Sequence, residues 1–125
     1  MYAGVRTEIS LGQIWRYFKR WLIEREPKPY NSWGNGCGMR VSPVGFYARS
    51  LNDALELAKN SAEVTHNHPE GIKGALAIVA AVFLTRQGIS KDKLREYLET
   101  TFGYGLHRTI DEIQPELFLR CVLYR

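Results

Sequence analysis

A glycine-rich stretch at residues 32–43, Ser-Trp-Gly-Asn-Gly-Cys-Gly-Met-Arg-Val-Ser-Pro, is the part of this sequence best suited to binding a small ligand. Its three glycines and its asparagine, at residues 34–38, predict a turn that uses left-handed backbone angles. The apolar run that begins at Met39 predicts a helix directly after the turn. Because a helix start offers unpaired N–H groups and the positive end of the helix dipole, the stretch is a candidate site for a phosphate or a ribose hydroxyl.

The same spacing also fits a tight turn between two helices, in which the glycines serve packing alone. A single Gly-x-Gly is a weak signal, and no strand clearly precedes it, as a dinucleotide-binding βαβ unit would require. From spacing alone, packing is the favoured interpretation of these glycines.

His66 and His68 stand close to Glu70 in a second polar segment, residues 65–71. Two histidines beside a carboxylate raise the question of a metal site. Structural zinc sites usually need four ligands, and neither a cysteine pair nor a second histidine pair lies near in sequence. We therefore expect no zinc here, and expect one histidine to hydrogen-bond the loop backbone while the other faces solvent.

Composition limits the classes of protein that this chain can be. At 125 residues, of which 45% are hydrophobic, we expect one domain with a single core, residues 1–125. The net charge of +4 suits an anionic ligand such as a nucleotide, and equally an ordinary soluble surface. No recognised nucleic-acid module accompanies the charge, so we expect no nucleic-acid partner.

The sequence gives no sign of export or of a membrane span. The N-terminus lacks a basic region followed by an apolar core, which is the pattern of a secretory signal. The longest apolar run, residues 75–84, is about ten residues long and too short to span a bilayer. Cys37 and Cys121 lie far apart and form no metal-type pair. We therefore expect a cytoplasmic protein without a membrane partner.

Apolar residues recur at helical spacing along most of the chain, which predicts an all-α fold, arranged as an orthogonal helical bundle. Ser50 and Ser90 suit cap positions, and Asn67 or His68 suits the cap of the helix that begins near Pro69. That last helix is apolar on all sides, so we expect it at the centre of the domain. The expected helices are 9–22, 39–48, 51–63, 72–84 and 91–101, with a capping box at 109–112, whereas residues 1–8 and 117–124 give no clear assignment.

Arg40 falls at the start of the expected 39–48 helix, where the helix dipole disfavours a positive charge. A charge in such a position needs a partner. We expect the guanidinium to meet either a buried carboxylate, which is the more common case, or a bound anion.

The motif Gly34-Asn35-Gly36-x-x-Met39-Arg40-Val41-x-Pro43 resembles the Gly-Asn-Gly-Ala-Ala-Met-Arg-x-x-Pro segment of the ADP-ribosylglycohydrolase family. The likeness continues in the same order through residues 50–62, the motif Thr65-His66-x-His68-Pro69, and Gly74-Ala75 at the head of an apolar helix. It covers about residues 10–115 and corresponds to the central portion of the family domain.

The resemblance implies an all-α enzyme that hydrolyses the glycosidic bond between ADP-ribose and a protein side chain or a small acceptor, with two magnesium ions. An aromatic residue such as Tyr30 or Trp33 would then stack on adenine, although it could equally anchor the loop to the core. By position, the residues implied to contact ADP-ribose are Trp33, Gly34, Asn35, Gly36, Met39, Arg40 and His66, with His66 favoured over His68.

The sequence departs from the family at the metal site. The family's magnesium ligands come from a Thr-Asp-Asp-type motif near the N-terminus and an Asp-x-Asp-Thr-type motif near the C-terminus, and neither is found. Thr7-Glu8 is the only early pair of a threonine and a carboxylate, and no Asp follows it. Two magnesium ions need several convergent carboxylates. We therefore expect no metal-binding residues and no cofactor in this chain, and assign no catalytic residue.

Three functions remain open. The first is a truncated or split ADP-ribosylglycohydrolase relative that is inactive alone. The second is a module that binds ADP-ribose or a related nucleotide without catalysis, and the third is a structural, oligomerising remnant. A missing part of the domain would leave apolar helix faces uncovered, so we also expect a homodimer or a complementing chain.

Overall fold

The computed structural model of this chain describes residues 11–25, 27–32 and 35–114. The described residues are mostly helical and contain no β-strand, which confirms the predicted all-α class. The helices are α1 (Leu11–Ile23), α2 (Gly36–Arg40), α3 (Ser42–Tyr47), α4 (Leu51–Glu63), α5 (Pro69–Arg86) and α6 (Lys91–Phe102). Trp33, Gly34 and Cys121 lie outside the described residues, as do the unassigned segments 1–8 and 117–124.

The chain divides into two compact units between Ile89 and Ser90. In the first unit, α5 packs against α2, α3 and α4, which confirms that the apolar helix is central. Alanines on α4 and α5 let the two helix backbones approach closely, because they add little side-chain volume between the helices. The buried core consists of Cys37, Val41, Ala48, Ala54, Ala58, Ala62, Ala75, Val79 and Phe83.

The caps of α4 and α5 form as the sequence predicts. The Ser50 hydroxyl accepts a hydrogen bond from the Asp53 N–H at 3.1 Å, so α4 begins at Leu51. His68 is the cap of α5, and its Nδ1 accepts from the Glu70 N–H at 3.2 Å. Each cap satisfies one of the N–H groups that a helix start leaves without a partner inside the helix.

The prediction of one helix over residues 39–48 is wrong, because the helix begins earlier and is divided in two. The helix begins at Gly36, inside the glycine-rich stretch, and Val41 separates α2 from α3. The break follows from Pro43, whose ring would collide with the carbonyl of Met39 in a continuous helix and which has no N–H to donate. Pro43 instead lies in the first turn of α3, where its missing N–H costs nothing.

The predicted left-handed turn is also wrong for Gly36 and Gly38, which lie in the right-handed helix α2. Within the described ranges, the positive φ angles are those of Asn31 (52°), Gly88 (82°) and Gly103 (70°). Close packing explains Gly38 instead, because a Cβ on it would lie 2.8 Å from Ile78 Cδ1. At Gly45 a Cβ would lie 2.6 Å from Val82 Cγ1, so α3 also depends on a glycine to approach α5.

The second unit contains α6 and the segment that follows it. The Ser90 hydroxyl accepts from the Lys93 N–H at 3.5 Å, and α6 ends in the left-handed Gly103. The capping box also forms: the Thr109 N–H donates to Glu112 Oε2 at 2.6 Å, and the Glu112 N–H donates to Thr109 Oγ1 at 3.4 Å. A hydrogen bond from the Thr109 backbone and, second, one from the Thr109 side chain to the carboxyl lower the pKa of Glu112.

Across the described ranges, every helix is too short or too polar to traverse a lipid bilayer.

Candidate functional site

The structure brings the described parts of the glycine-rich segment, Ser32 and residues 35–40, alongside the connection between α4 and α5. The Ser32 N–H donates to the Thr65 carbonyl at 3.3 Å. Further along, the Cys37 thiol donates to the Gly71 carbonyl at 3.4 Å, and Cys37 is buried. The two segments singled out in the sequence therefore lie side by side, although they are about thirty residues apart in the chain.

Arg40 joins the same two segments through its side chain. Its Nη2 donates to the Ser61 carbonyl at 2.6 Å and to Thr65 Oγ1 at 2.8 Å, and its Nε donates to Ser61 Oγ at 3.4 Å. The expected carboxylate partner is wrong, since these described partners are neutral oxygens. The expected place at a helix start is wrong too, because Arg40 is the last residue of α2.

Helix electrostatics explain this arrangement. The last carbonyls of a helix have no partner inside it and carry the negative end of its dipole. Arg40 lies at the C-terminal end of α2 and bonds Ser61 in the last turn of α4, so two helix ends attract the guanidinium. A carboxylate is not needed to hold the charge.

Thr65 and His66 form a buried polar pair behind this contact. Each side chain is only 2% exposed, and Thr65 Oγ1 lies 2.8 Å from His66 Nδ1. A Cβ on Gly71 would lie 3.5 Å from His66 Cδ2, so the ring packs against the first turn of α5. The guanidinium of Arg40, the hydroxyl of Thr65 and the ring of His66 thus form one continuous hydrogen-bonded chain.

The expectation that one histidine bonds the backbone is confirmed for His68, whereas the expectation that the other faces solvent is wrong, because His66 is buried. The exposed His68 bonds the backbone as a helix cap, whereas the buried His66 meets a side-chain hydroxyl. His66 as a ligand contact remains a prediction. In this structure, its ring is covered by protein.

The other described residues of the predicted site are open to solvent. Asn35, Gly36 and Met39 are exposed, with Met39 at 72%. The Asn35 carbonyl accepts from the Met39 N–H at 3.0 Å, while its side chain makes no capping bond to α2. Among the described residues, no atom outside the local helix backbone and the two chain neighbours lies within 4 Å of a Cβ on Gly36, so no described residue fills the space beside this glycine.

The described residues do not fit the pair of magnesium ions that the resemblance implies. In residues 11–25, 27–32 and 35–114, no three His, Cys, Asp or Glu side chains come together in a way that could hold a metal ion. We therefore assign no chemical step of this chain to a bound metal.

Comparison with known proteins places this chain in a family. The family model described as ADP-ribosylglycohydrolase matches residues 3–120. The chain belongs to the ADP-ribosylglycohydrolase family. Residues 34–43 and 65–69, which carried the resemblance, fall inside the matched range.

Among curated proteins, ADP-ribosylhydrolase ARH3 of Mus musculus is 36% identical over 73 residues, which is 58% of this chain and 19% of the mouse protein. The Gallus gallus protein of the same name is 38% identical over 68 residues, covering 54% of this chain and 18% of the relative. The Homo sapiens protein is 34% identical over 73 residues, covering 58% and 20%. The matched segment thus spans about a fifth of these relatives. No solved structure matches this chain.

The sequence alone does not indicate the role of Thr65 or the partners of Arg40. Thr65 stands inside the quoted motif, so its position beside His66 was visible. Its contact with Arg40, and that of Arg40 with Ser61, depend on how α2 packs against α4. No local spacing pattern encodes that packing.

Proposed function

We propose that this chain forms the nucleotide-holding side of an ADP-ribosylglycohydrolase site, and that its exposed glycine-rich segment contacts ADP-ribose. Family membership supports an ADP-ribose-type substrate. The names of the relatives, ADP-ribosylhydrolases, support hydrolysis as the reaction to which the site contributes.

Gly36 is the observation that carries the proposal. A glycine is needed where φ is positive or where a neighbour leaves no room for a side chain. Gly36 meets neither condition, because it lies in a right-handed helix and no residue that the structure describes occupies its Cβ position. Close approach of a ligand gives a third reason for glycine, and packing explains only Gly38 and Gly45.

The proposed roles follow from exposure and chemistry. The Asn35 amide can both donate to and accept from ribose hydroxyls and phosphate oxygens. Trp33, Gly34, Gly36 and Met39 complete the proposed contact surface, with Trp33 suited to stacking on adenine. Arg40 and His66 support this surface from the protein side through Thr65.

The proposal assigns the metal-holding residues to a segment or a chain other than this one. Hydrolysis by this chain alone is then not expected, and the cofactors of the complete site are two magnesium ions. The proposed partners are therefore ADP-ribose and a complementing chain or a second copy, in the cytoplasm. The exposed apolar side chains of Met39, Phe46 and Ile78 support a protein partner.

Isothermal calorimetry with ADP-ribose, with and without magnesium, tests the proposal. We expect binding that does not need magnesium and that Asn35→Ala abolishes. Asn52→Ala is the matched control: Asn52 is exposed at the first turn of α4, while Ser61 and Thr65 lie at its other end.

The outcomes separate the three functions. No heat of binding at millimolar ADP-ribose would contradict the proposal and leave a structural role. Binding that Asn35→Ala and Asn52→Ala affect equally would contradict the placement of the site. Release of ADP-ribose from a modified peptide by the purified chain would contradict the assignment of the metal site elsewhere.

A further inference from the structure

Arg40 and Thr65 surround one nitrogen of the buried His66 ring in a way that restricts where the ring carries its hydrogen. We propose that they are positioning residues that hold neutral His66 with Nδ1 as an acceptor and the hydrogen on Nε2. This proposal concerns the protein without ligand. It does not need the proposed function to be correct.

The direction of the first hydrogen bond is fixed by chemistry. A guanidinium has five N–H donors and no acceptor, so Arg40 Nη2 must donate to Thr65 Oγ1 across their 2.8 Å separation. A threonine hydroxyl has one hydrogen and two lone pairs. One lone pair is therefore engaged, and the hydroxyl hydrogen points elsewhere.

That hydrogen needs an acceptor, because a side chain only 2% exposed cannot rely on bulk water. Within the described part of the chain, the acceptor in reach is His66 Nδ1, at 2.8 Å. If Nδ1 carried a hydrogen instead, two donors would face the same oxygen and the hydroxyl hydrogen would have no acceptor. A buried donor without an acceptor disfavours that tautomer by about tenfold or more.

The guanidinium is held in place independently of His66. Arg40 Nη2 also bonds the Ser61 carbonyl at 2.6 Å, and Nε bonds Ser61 Oγ at 3.4 Å. Because the last turn of α4 holds the guanidinium, its direction toward Thr65 does not depend on the state of the ring. The α4 terminus thus determines the tautomer through Arg40 and Thr65.

Nitrogen NMR of the full chain tests the proposal directly. In a sample labelled with ¹⁵N-histidine, long-range ¹H–¹⁵N correlation distinguishes a ring nitrogen that carries a hydrogen from one that accepts. The chain has three histidines. The signals that His66→Gln removes are those of His66, and His68, whose Nδ1 accepts from a backbone N–H, is an internal reference.

We expect wild-type His66 to carry its hydrogen on Nε2 and to show Nδ1 as a hydrogen-bonded acceptor. Thr65→Val removes the hydroxyl donor, so it should move the Nδ1 signal toward that of a ring nitrogen that accepts no hydrogen bond. It should also raise the fraction of His66 that carries its hydrogen on Nδ1. Thr65→Ser, which keeps the hydroxyl, should restore the wild-type signals. Arg40→Met should weaken the Nδ1 bond, because the hydroxyl is then free to rotate.

Arg86→Met is the matched control. The Arg86 guanidinium also donates to backbone carbonyls, those of Phe46 and Ala48, so its loss perturbs the fold in a similar way without touching Thr65. We expect this variant to leave the His66 signals unchanged.

A hydrogen on Nδ1 in the wild-type protein would overturn the proposal. So would Nδ1 signals that stay unchanged in both Thr65→Val and Arg40→Met, or that respond equally to Arg86→Met. The wild-type and Thr65→Ser spectra decide the question even if Thr65→Val does not fold. Failure of ADP-ribose to bind would overturn the proposed function and leave the tautomer assignment intact.

Discussion

Gly36, Gly38 and Gly45 lie in helices and differ in the atoms that an added methyl group would meet. Replacing each by alanine should therefore change the free energy of unfolding by a different amount. In a right-handed helix, replacing glycine by alanine stabilises a protein by about 0.5–1 kcal/mol when space allows, because the unfolded chain loses conformational freedom. At Gly36, no atom of residues 11–25, 27–32 and 35–114 outside the local backbone and the two chain neighbours lies within 4 Å of the new atom. We therefore expect Gly36→Ala to stabilise the fold by about 0.5 kcal/mol.

Gly45 gives the opposite sign. A Cβ there would lie 2.6 Å from Val82 Cγ1, 2.8 Å from Val82 Cβ and 3.2 Å from the Phe83 backbone nitrogen. The Val82 Cβ and the backbone nitrogen cannot move without shifting α5, and overpacking of this kind costs about 1–3 kcal/mol. After the helix gain, we expect Gly45→Ala to destabilise the fold by about 1–2 kcal/mol.

Gly38 falls between these two cases. Its Cβ would meet only Ile78 Cδ1, at 2.8 Å, which is the far end of a flexible side chain. A rotamer change of Ile78 relieves the contact at a cost comparable with the helix gain. We expect Gly38→Ala to change the free energy of unfolding by less than about 0.5 kcal/mol in either direction.

Urea unfolding followed by circular dichroism measures all three variants, and thermal midpoints should shift by about 4 °C for each kcal/mol. ADP-ribose calorimetry on Gly36→Ala adds the functional test. A methyl group on the proposed ligand side should weaken binding about tenfold, the equivalent of about 1.4 kcal/mol, while the fold becomes more stable.

Two results would refute this reasoning. If Gly36→Ala destabilised the fold as much as Gly45→Ala, the open space beside Gly36 would not exist in solution. If Gly36→Ala bound ADP-ribose as tightly as the wild type, ligand approach would not be the reason for this glycine. Gly45→Ala controls for a general loss of structure.

The remaining predictions concern caps and one carboxyl. Ser50→Ala removes the acceptor of the Asp53 N–H, so it should lower the urea midpoint by the equivalent of about 1 kcal/mol; an unchanged midpoint would contradict the cap. Gly103→Ala places a side chain at φ 70°, and should destabilise α6 by about 1 kcal/mol, measured by amide exchange in that helix. The Thr109 N–H holds the pKa of the Glu112 carboxyl below its ordinary value. This bond therefore stabilises the folded capping box at a pH above the pKa of Glu112 in the unfolded chain. The stabilisation is lost as the pH falls through the lower pKa of the folded state. The NMR shift of the Thr109 amide should therefore titrate at a lower pH than an unpaired glutamate does. Thr109→Gly removes the side-chain hydrogen bond and keeps the backbone one, so it should reduce the lowering of the Glu112 pKa without abolishing it.

The helices that could be predicted from the sequence are those whose signals are local. Ser50 and Ser90 identify the starts of α4 and α6, and the observed starts at Leu51 and Lys91 agree with them. The central position of α5 follows from its apolar composition on every side. Each of these inferences needs only residues within a few turns of one another.

The glycine-rich segment could not be predicted as well, because its structure depends on contacts between distant residues. Glycine predicts conformational freedom, but Gly38 lies in an ordinary right-handed helix, and its neighbour Ile78 is forty residues further along the chain. The partners of Arg40 lie 21 and 25 residues further along the chain. The sequence predicts Arg40 at a helix start, whereas it lies at a helix end, because α2 begins at Gly36 and not at Met39.

The contacts that anchor the glycine-rich segment are made by residues other than those proposed to meet the ligand. Ser32 and Arg40 fix the segment to Thr65, and their bonds run toward the α4–α5 connection. Asn35 and Gly36 lie between these anchors, exposed to solvent, and the Asn35 side chain makes no capping bond to α2. A segment held at both ends by its flanks loses little conformational freedom on binding a ligand at its centre, and such preorganisation favours affinity. Substitutions of Asn35 or Gly36 should therefore lower the affinity for the ligand without lowering the stability of the fold. Substitution of the Arg40 anchor should lower both the affinity and the stability.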